Sequence, residues 1–259
     1  MKKSIIKDMK KSHIGELRQS PLLEVRLFAD FSSDAVFSEK SLRTFLLDQR
    51  LSKKPFRLVQ HRDLQLTIEG VGSRYVPSAE KSISGVLIDL DARGLRRLEL
   101  KSSRFAFVAR GRYRNWDEFC AQSLPYLMAY VAFRQAKIER LGVLSINDLS
   151  IMRNERVADV FEATGVHASE LGRSFDMDLF SRDTRYYPEH ETFVSTVRRF
   201  RNSLKSSVNK LRYSIEAFRF YPDAGLPLQQ ISKDLDRIRR VKDFVFFGEL
   251  ADKHLERYR

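Results

Sequence analysis

The sequence holds one cysteine, one tryptophan and no apolar run long enough to cross a membrane as a helix. Each shortage excludes something. A lone Cys120 forms no intramolecular disulfide framework and supplies no zinc site built on two or more thiolates; it fits a reducing compartment. The opening MKKSIIKDMKKSHIGE is basic but lacks the apolar stretch of a secretory signal, so a cytoplasmic protein with no membrane partner is expected. Chemical signatures are missing too. There is no G-x-S-x-G, no phosphate-binding P-loop and no dinucleotide fingerprint, and Gly70-Val71-Gly72 is too short to stand for one. The five histidines, His13, His61, His167, His190 and His254, show no HxH, HxxxH or HExxH spacing. No cofactor, no metal and no catalytic residue are therefore assigned.

What is present is core material and positive charge. The 259 residues are 42% hydrophobic, enough for one large domain or two small ones. The net charge is +13, which favours a polyanion or an acidic partner and says nothing about fold. The charge is clustered. Residues 2–11 hold five lysines against Asp8. Residues 93–114 hold Arg93, Arg96, Arg97, Lys101, Arg104, Arg110, Arg112 and Arg114 against Glu99 alone. Residues 197–212 hold Arg198, Arg199, Arg201, Lys205, Lys210 and Arg212 and no acid.

Periodicity predicts an α+β chain of antiparallel β-meanders, each followed by an amphipathic helix. After a basic lead-in over 1–20, Leu23, Val25, Leu27, Ala29 and Phe31 alternate with Glu24, Arg26, Phe28 and Asp30, the pattern of a half-buried strand. Leu42, Phe45 and Leu46 then fall at helical spacing. Residues 58–68 read as strand and the Gly/Ser/Pro-rich 70–84 as loop. VLIDLD, LRRLEL and RFAFVA, separated by short turns, read as a three-strand meander. Asn115 caps a helix, with Glu118 at capping-box spacing and Trp116, Phe119, Cys120, Leu124, Leu127, Met128 and Val131 on its apolar face; Pro125 predicts a kink or break. Further on, 138–151 and 174–181 read as strands and 157–164 as a short helix. Residues 190–221 fit a helix face through Phe193, Val197, Phe200 and Leu204, but their β-branched content favours a long hairpin with Ser206-Ser207 at its tip. Pro227 sits at a helix start, before an apolar face of Ile231, Leu235, Ile238 and Val241, and a last helix covers 249–258. The expected organisation is two α+β halves, 21–136 and 137–259, similar in plan and packed as one globular unit.

Several words of this text resemble a sporadically distributed bacterial family of proteins of about this length, for which no activity is established. They are Leu22-Leu23-Glu24-Val25, the stretch 95–107 running into Trp116-Asp117-Glu118-Phe119, and Ile138-Glu139-Arg140-Leu141-Gly142 followed by Ser145-Ile146-Asn147. Tyr213-Ser214-Ile215-Glu216-Ala217-Phe218 and the stretch from Leu235 through Phe246 to Leu255 complete them. The chain departs from the family at Leu144-Ser145, where an Arg-Tyr pair is usual, and at Ser214 and Glu216, where two aspartates are usual. The resemblance implies a mobile-element or defence neighbourhood and no mechanism.

The remaining candidates are polar. Asp89 with Asp91, and Asp176 with Asp178, lie at i, i+2 and share a strand face, the arrangement of a two-carboxylate Mg²⁺ site; the plainer reading is the solvated face of a sheet. His254 reads as a packed core histidine and Cys120 as a small hydrophobe. Asn147-Asp148, at the end of an apolar strand, is the one polar functional spot singled out, against a plainer role in a turn or cap. In the stretch 93–114, Phe105 and Phe107 share a face that points inward, which leaves Tyr113 and makes the stretch a phosphate-contacting face without a base-stacking platform. The expected function is a non-enzymatic binding or accessory protein for a polyanion, nucleic acid first. Its contacts would be Arg93, Arg96, Arg97, Lys101, Arg104, Arg110, Arg112, Arg114, Arg198, Arg199, Arg201 and Lys205. The alternatives are an adaptor whose basic face meets an acidic protein partner, and a metal-dependent nuclease using the strand carboxylates.

Overall fold

The computed structural model describes residues 21–32, 39–69, 72–111, 115–152, 155, 160–161, 178–201, 208–222 and 225–258. Among them are nine strands and four α-helices, an α+β chain dominated by antiparallel pairing. No helix among the described residues is long and apolar enough to span a membrane. The chain forms two compact units that are not contiguous in sequence. One, the meander unit, is Arg26–Arg140 with Tyr221–Leu226; the other, the hairpin unit, is Met1–Val25, Leu141–Phe220 and Pro227–Arg259.

The meander unit contains most of β1 (Leu22–Phe31), then α1 (Glu39–Asp48), β2 (Phe56–Glu69), β3 (Gly72–Asp89), β4 (Arg96–Lys101), β5 (Arg104–Arg110) and α2 (Trp116–Arg134). Its strand order is β2-β3-β4-β5-β1. The meander lies where the alternation puts it, with Leu98 opposite Phe107 and Leu100 opposite Phe105 in register. Asn115 caps α2, accepting the Glu118 N–H at 2.8 Å. The helix passes through Pro125 without ending. Its buried residues are Trp116, Phe119, Ser123, Leu127, Tyr130 and Val131; Cys120 and Leu124 are half-buried and Met128 is exposed, so the expected face is rotated. The cause is Tyr130. Its ring meets Phe31, Phe45 and Phe105 at 5.7–5.8 Å, and its hydroxyl donates to the Lys101 carbonyl at 2.7 Å.

A second expectation fails at 70–84, read as a loop. From Gly72 onward the backbone is strand, paired with β2 from Glu69↔Gly72 to Phe56↔Ile88. A long partner strand supplies hydrogen bonds that override local turn chemistry, and register shifts at Val59/Gln60 and Arg62/Leu64 absorb the irregularity beside Pro77.

The hairpin unit contains most of β6 (Ile138–Met152), β7 (Asp178–Tyr187), β8 (Thr192–Arg201), β9 (Val208–Phe220), α3 (Ile231–Glu249) and α4 (Asp252–Leu255), with strand order β6-β9-β8-β7. Residues 192–201 and 208–220 are antiparallel strands and not a helix; the expected hairpin tip, Ser206-Ser207, lies outside the described residues. Most of the short helix expected over 157–164 lies outside them as well; within it, Phe161 makes an isolated antiparallel bridge to Leu250. Pro227 leads a 3-10 turn, Leu228–Gln230, and the α-helix begins at Ile231. Ile231, Leu235, Ile238 and Val241 are all buried, as their spacing requires. The α3 helix covers the face of β8 and β9 that carries Val194, Thr196, Arg198 and Phe200 together with Leu211, Tyr213, Ile215 and Ala217. Tyr213 stacks on Phe246 at 6.2 Å, and Tyr187 meets Phe244 edge-on at 6.4 Å.

Candidate nucleic-acid interface

In the meander unit several arginines are engaged within the fold. Arg97 pairs with Asp89 at 2.7 Å across the β3–β4 ladder, where the two are register partners. Arg104 forks onto Asp30, with Nη2 to Oδ2 at 2.9 Å, and Arg140 shares the same carboxylate at 3.3 Å. Both guanidinium groups stand over the Phe28 ring, at 5.3 and 5.0 Å from its centroid. Arg26 reaches Glu99 at 3.5 Å. Arg96 donates to Gln122 and to the carbonyls of Leu95 and Arg110. Of this group Arg93 and Lys101 are exposed and Arg110 is half-buried, while Arg112 and Arg114 lie outside the described residues.

The hairpin unit distributes its charge differently. Register puts Arg199 opposite Arg212 and Arg201 opposite Lys210, two like-charged cross-strand pairs in succession on one face of β8–β9. Arg199, Arg212 and Lys210 are exposed. Among the acids, Asp148 of β6 reaches Arg212 at 3.1 Å, and the pairing raises the Arg212 pKa further. Lys205 lies outside the described residues.

Arg198, counted among the expected contacts, faces the other way and is corrected here. It is 5% exposed and ion-paired with Glu249, itself 3% exposed at the end of α3. Tyr213 donates its hydroxyl to the same carboxylate, and Arg185 approaches the other oxygen at 3.2 Å. The guanidinium of Arg198 lies over the rings of Phe161 and Tyr213, at 4.9 and 5.5 Å. Burial, and then the neighbouring Glu249 charge, push the Tyr213 pKa well above that of a free tyrosine, so the phenol stays protonated and donating. A carboxylate at a helix C-terminus opposes the helix dipole, and two arginines and a phenol offset it. A second buried pair joins β9 to α3, where Arg219 donates to Asp234 at 2.7 Å.

The polar spot and the carboxylate pairs also have structural partners. The Asn147 amide donates to the Tyr213 carbonyl at 3.2 Å inside the sheet, and Asp148 carries the Arg212 pair. Asp91 accepts the N–H groups of Arg93, Leu95 and Arg96 at 2.9, 3.0 and 2.6 Å, closing the β3–β4 turn around Gly94 at φ 63°. Its slight burial raises the carboxyl pKa, but these N–H bonds outweigh that and hold it below the usual value. Asp176 and the Asp178 side chain lie outside the described residues, among which no group of three or more His, Cys, Asp or Glu is placed to hold a metal. His254 is buried, packed edge-on against Tyr258 at 5.7 Å.

One feature escaped the sequence reading. Register aligns Tyr186 of β7 with Phe193 of β8 and Phe193 with Phe218 of β9, on the same sheet face as the basic pairs. Tyr186 and Phe193 lie 4.6 Å apart, Phe193 and Phe218 stack at 5.6 Å, and Phe220 meets Phe193 edge-on at 5.5 Å. The signal was available in the hairpin pairing, once β8 and β9 are set in register. No protein-family model matches this chain and no curated protein matches it significantly, so the functional reading rests on this geometry.

Proposed function

We propose that this is a non-enzymatic binding or accessory protein whose ligand is a polyanion, nucleic acid first, and that the β8–β9 ladder makes the principal contact. The observation that carries this reading is the pair of like-charged register partners, Arg199 with Arg212 and Arg201 with Lys210, in a sequence stretch with no acid. Cations set opposite one another concentrate positive potential, which Asp148 offsets at Arg212 and which a phosphate can share. Arg93 and Lys101, at opposite ends of β4 in the meander unit, offer separate lesser contacts. On this reading the protein acts in the reducing cytoplasm, in a mobile-element or defence setting, and its two meander-then-helix halves are variants of one plan.

Binding of random-sequence DNA and RNA across a salt series tests it. The logarithm of the affinity should fall with the logarithm of salt at about −0.9 per phosphate for duplex and about −0.7 for single strands. Arg199→Ala and Lys210→Ala should each reduce that slope by about one, and Arg97→Ala should leave it unchanged. No binding at low salt, or a slope that neither variant moves, overturns the reading in favour of an acidic protein partner on the same basic face. Cleavage of nucleic acid with Mg²⁺ that disappears in Asp89→Asn/Asp91→Asn would overturn the non-enzymatic part.

A further inference from the structure

The face of β7–β8–β9 opposite α3 changes character along its length. At one end lie Tyr186, 50% exposed, and Phe220, 55% exposed, set around Phe193 and the nearly buried Phe218. At the other end are the register-paired cations Arg199, Arg212 and Lys210. Roughly 20 Å of strand separates Phe193 from Arg199, six residues at the strand rise. Between them the face is polar: Ser195 accepts from Arg182 Nε at 3.3 Å and from the Thr184 hydroxyl at 3.2 Å, and it pairs in register with Glu216.

The two exposed rings sit at the aromatic end of a face whose other end is cationic. A duplex offers phosphates to such a face but keeps its bases stacked inside. A single strand offers both, because its unstacked bases can lie on aromatic rings while the backbone follows the cations. We infer that the β7–β8–β9 face binds single-stranded nucleic acid, with bases stacking on Tyr186 and Phe220 and phosphates meeting the Arg199, Arg212 and Lys210 end. This deepens the polyanion reading and rests on it. The inserted chain must span several nucleotides to engage both ends, so a dinucleotide should gain little over a free phosphate.

The test uses the full chain and three labelled probes at fixed salt: an oligothymidylate of about 12 nucleotides, a duplex of equal length, and inorganic polyphosphate. An oligouridylate arm separates RNA from DNA. The single strand should bind more tightly than polyphosphate of equal charge. Tyr186→Ala and Phe220→Ala should each weaken it about 5- to 100-fold, leaving polyphosphate unaffected. Tyr186→Phe should bind as the wild type, and Lys210→Ala should weaken both ligands. An iodouracil-bearing oligonucleotide photocrosslinked to the wild type should map to Tyr186 or Phe220 by mass spectrometry, which keeps the test open if an alanine variant misfolds. Crosslinks only elsewhere, or aromatic variants that leave single-strand binding intact, overturn the stacking inference while polyphosphate binding preserves the polyanion reading. Failure of all three probes to bind overturns that reading itself.

Discussion

Two arginine-rich stretches of similar composition end in different balances of pairing and exposure. In the meander unit Arg97 and Arg104 each meet an acid from a neighbouring strand, and Glu99 of the same stretch reaches Arg26 across β5, so part of the cation density in sequence becomes ion pairs. In the hairpin unit the strand partners of Arg199 and Arg201 are Arg212 and Lys210, Arg212 also meets Asp148, and Arg198 is turned into the core against Glu249. The difference teaches that charge along a strand is not charge on a surface. Register and parity decide which cations are matched, which are opposed and which are buried.

The comparison breaks most visibly at Glu249. Glu249→Ala would leave the Arg198 guanidinium buried without its carboxylate and should cost about 3–5 kcal/mol, seen as lost amide-exchange protection in β8 and β9. The half-exposed Asp89–Arg97 pair is the counterpart in the meander unit. Asp89→Asn there should cost about 1 kcal/mol or less, read by the fluorescence of Trp116 during urea unfolding. Equal costs would mean that the two sets of arginines are energetically alike.

A second probe is acid. Burial, followed by the Arg257 charge, lowers the His254 pKa, and Glu155 only partly offsets this. Between the lowered value and the ordinary 6.5 the unfolded chain binds the proton and the folded chain does not, so stability falls as pH drops through that window. His254→Leu should flatten the acid limb of stability below pH 6.5, measured by exchange in the hairpin unit, and an unchanged limb would remove His254 from the account.

The smallest effect is the most pointed. Lys210→Glu sets a carboxylate opposite Arg201 and should raise stability by roughly 0.2–1 kcal/mol while weakening polyanion binding. A destabilised variant would show that the like-charged pair carries no cost.

Much of the fold was legible. The Asn115 cap, the β4–β5 meander, the 192–220 hairpin and the α3 face all follow from short-range chemistry and period. What escaped depended on partners distant in sequence. Residues 72–84 became strand because β2 was long enough to pair with them, and the α2 face turned because Tyr130 found a carbonyl and three rings. On β8 the alternation reads backwards: Thr192, Thr196 and Arg198 are buried while Phe193 and Val197 are only half-buried. Parity there is set by Glu249, 51 residues away from Arg198, and no local pattern announces it. The basic half of the candidate site was thus visible in composition, and its aromatic half emerged only from register.

The β7 strand has a different consequence. It ends the order β6-β9-β8-β7, so a row of its backbone donors and acceptors has no strand partner among the described residues. Such a row is a template on which a second chain can add itself and begin a fibre. Arg182, Asp183 and Arg185 interrupt that template with exposed or half-exposed charges of both signs, two of them already joined at 2.6 Å. An incoming strand would have to strip water from all three, whatever its own sign. Charges of this kind on an outer strand raise the cost of adding a further strand, independently of any ligand the neighbouring face holds.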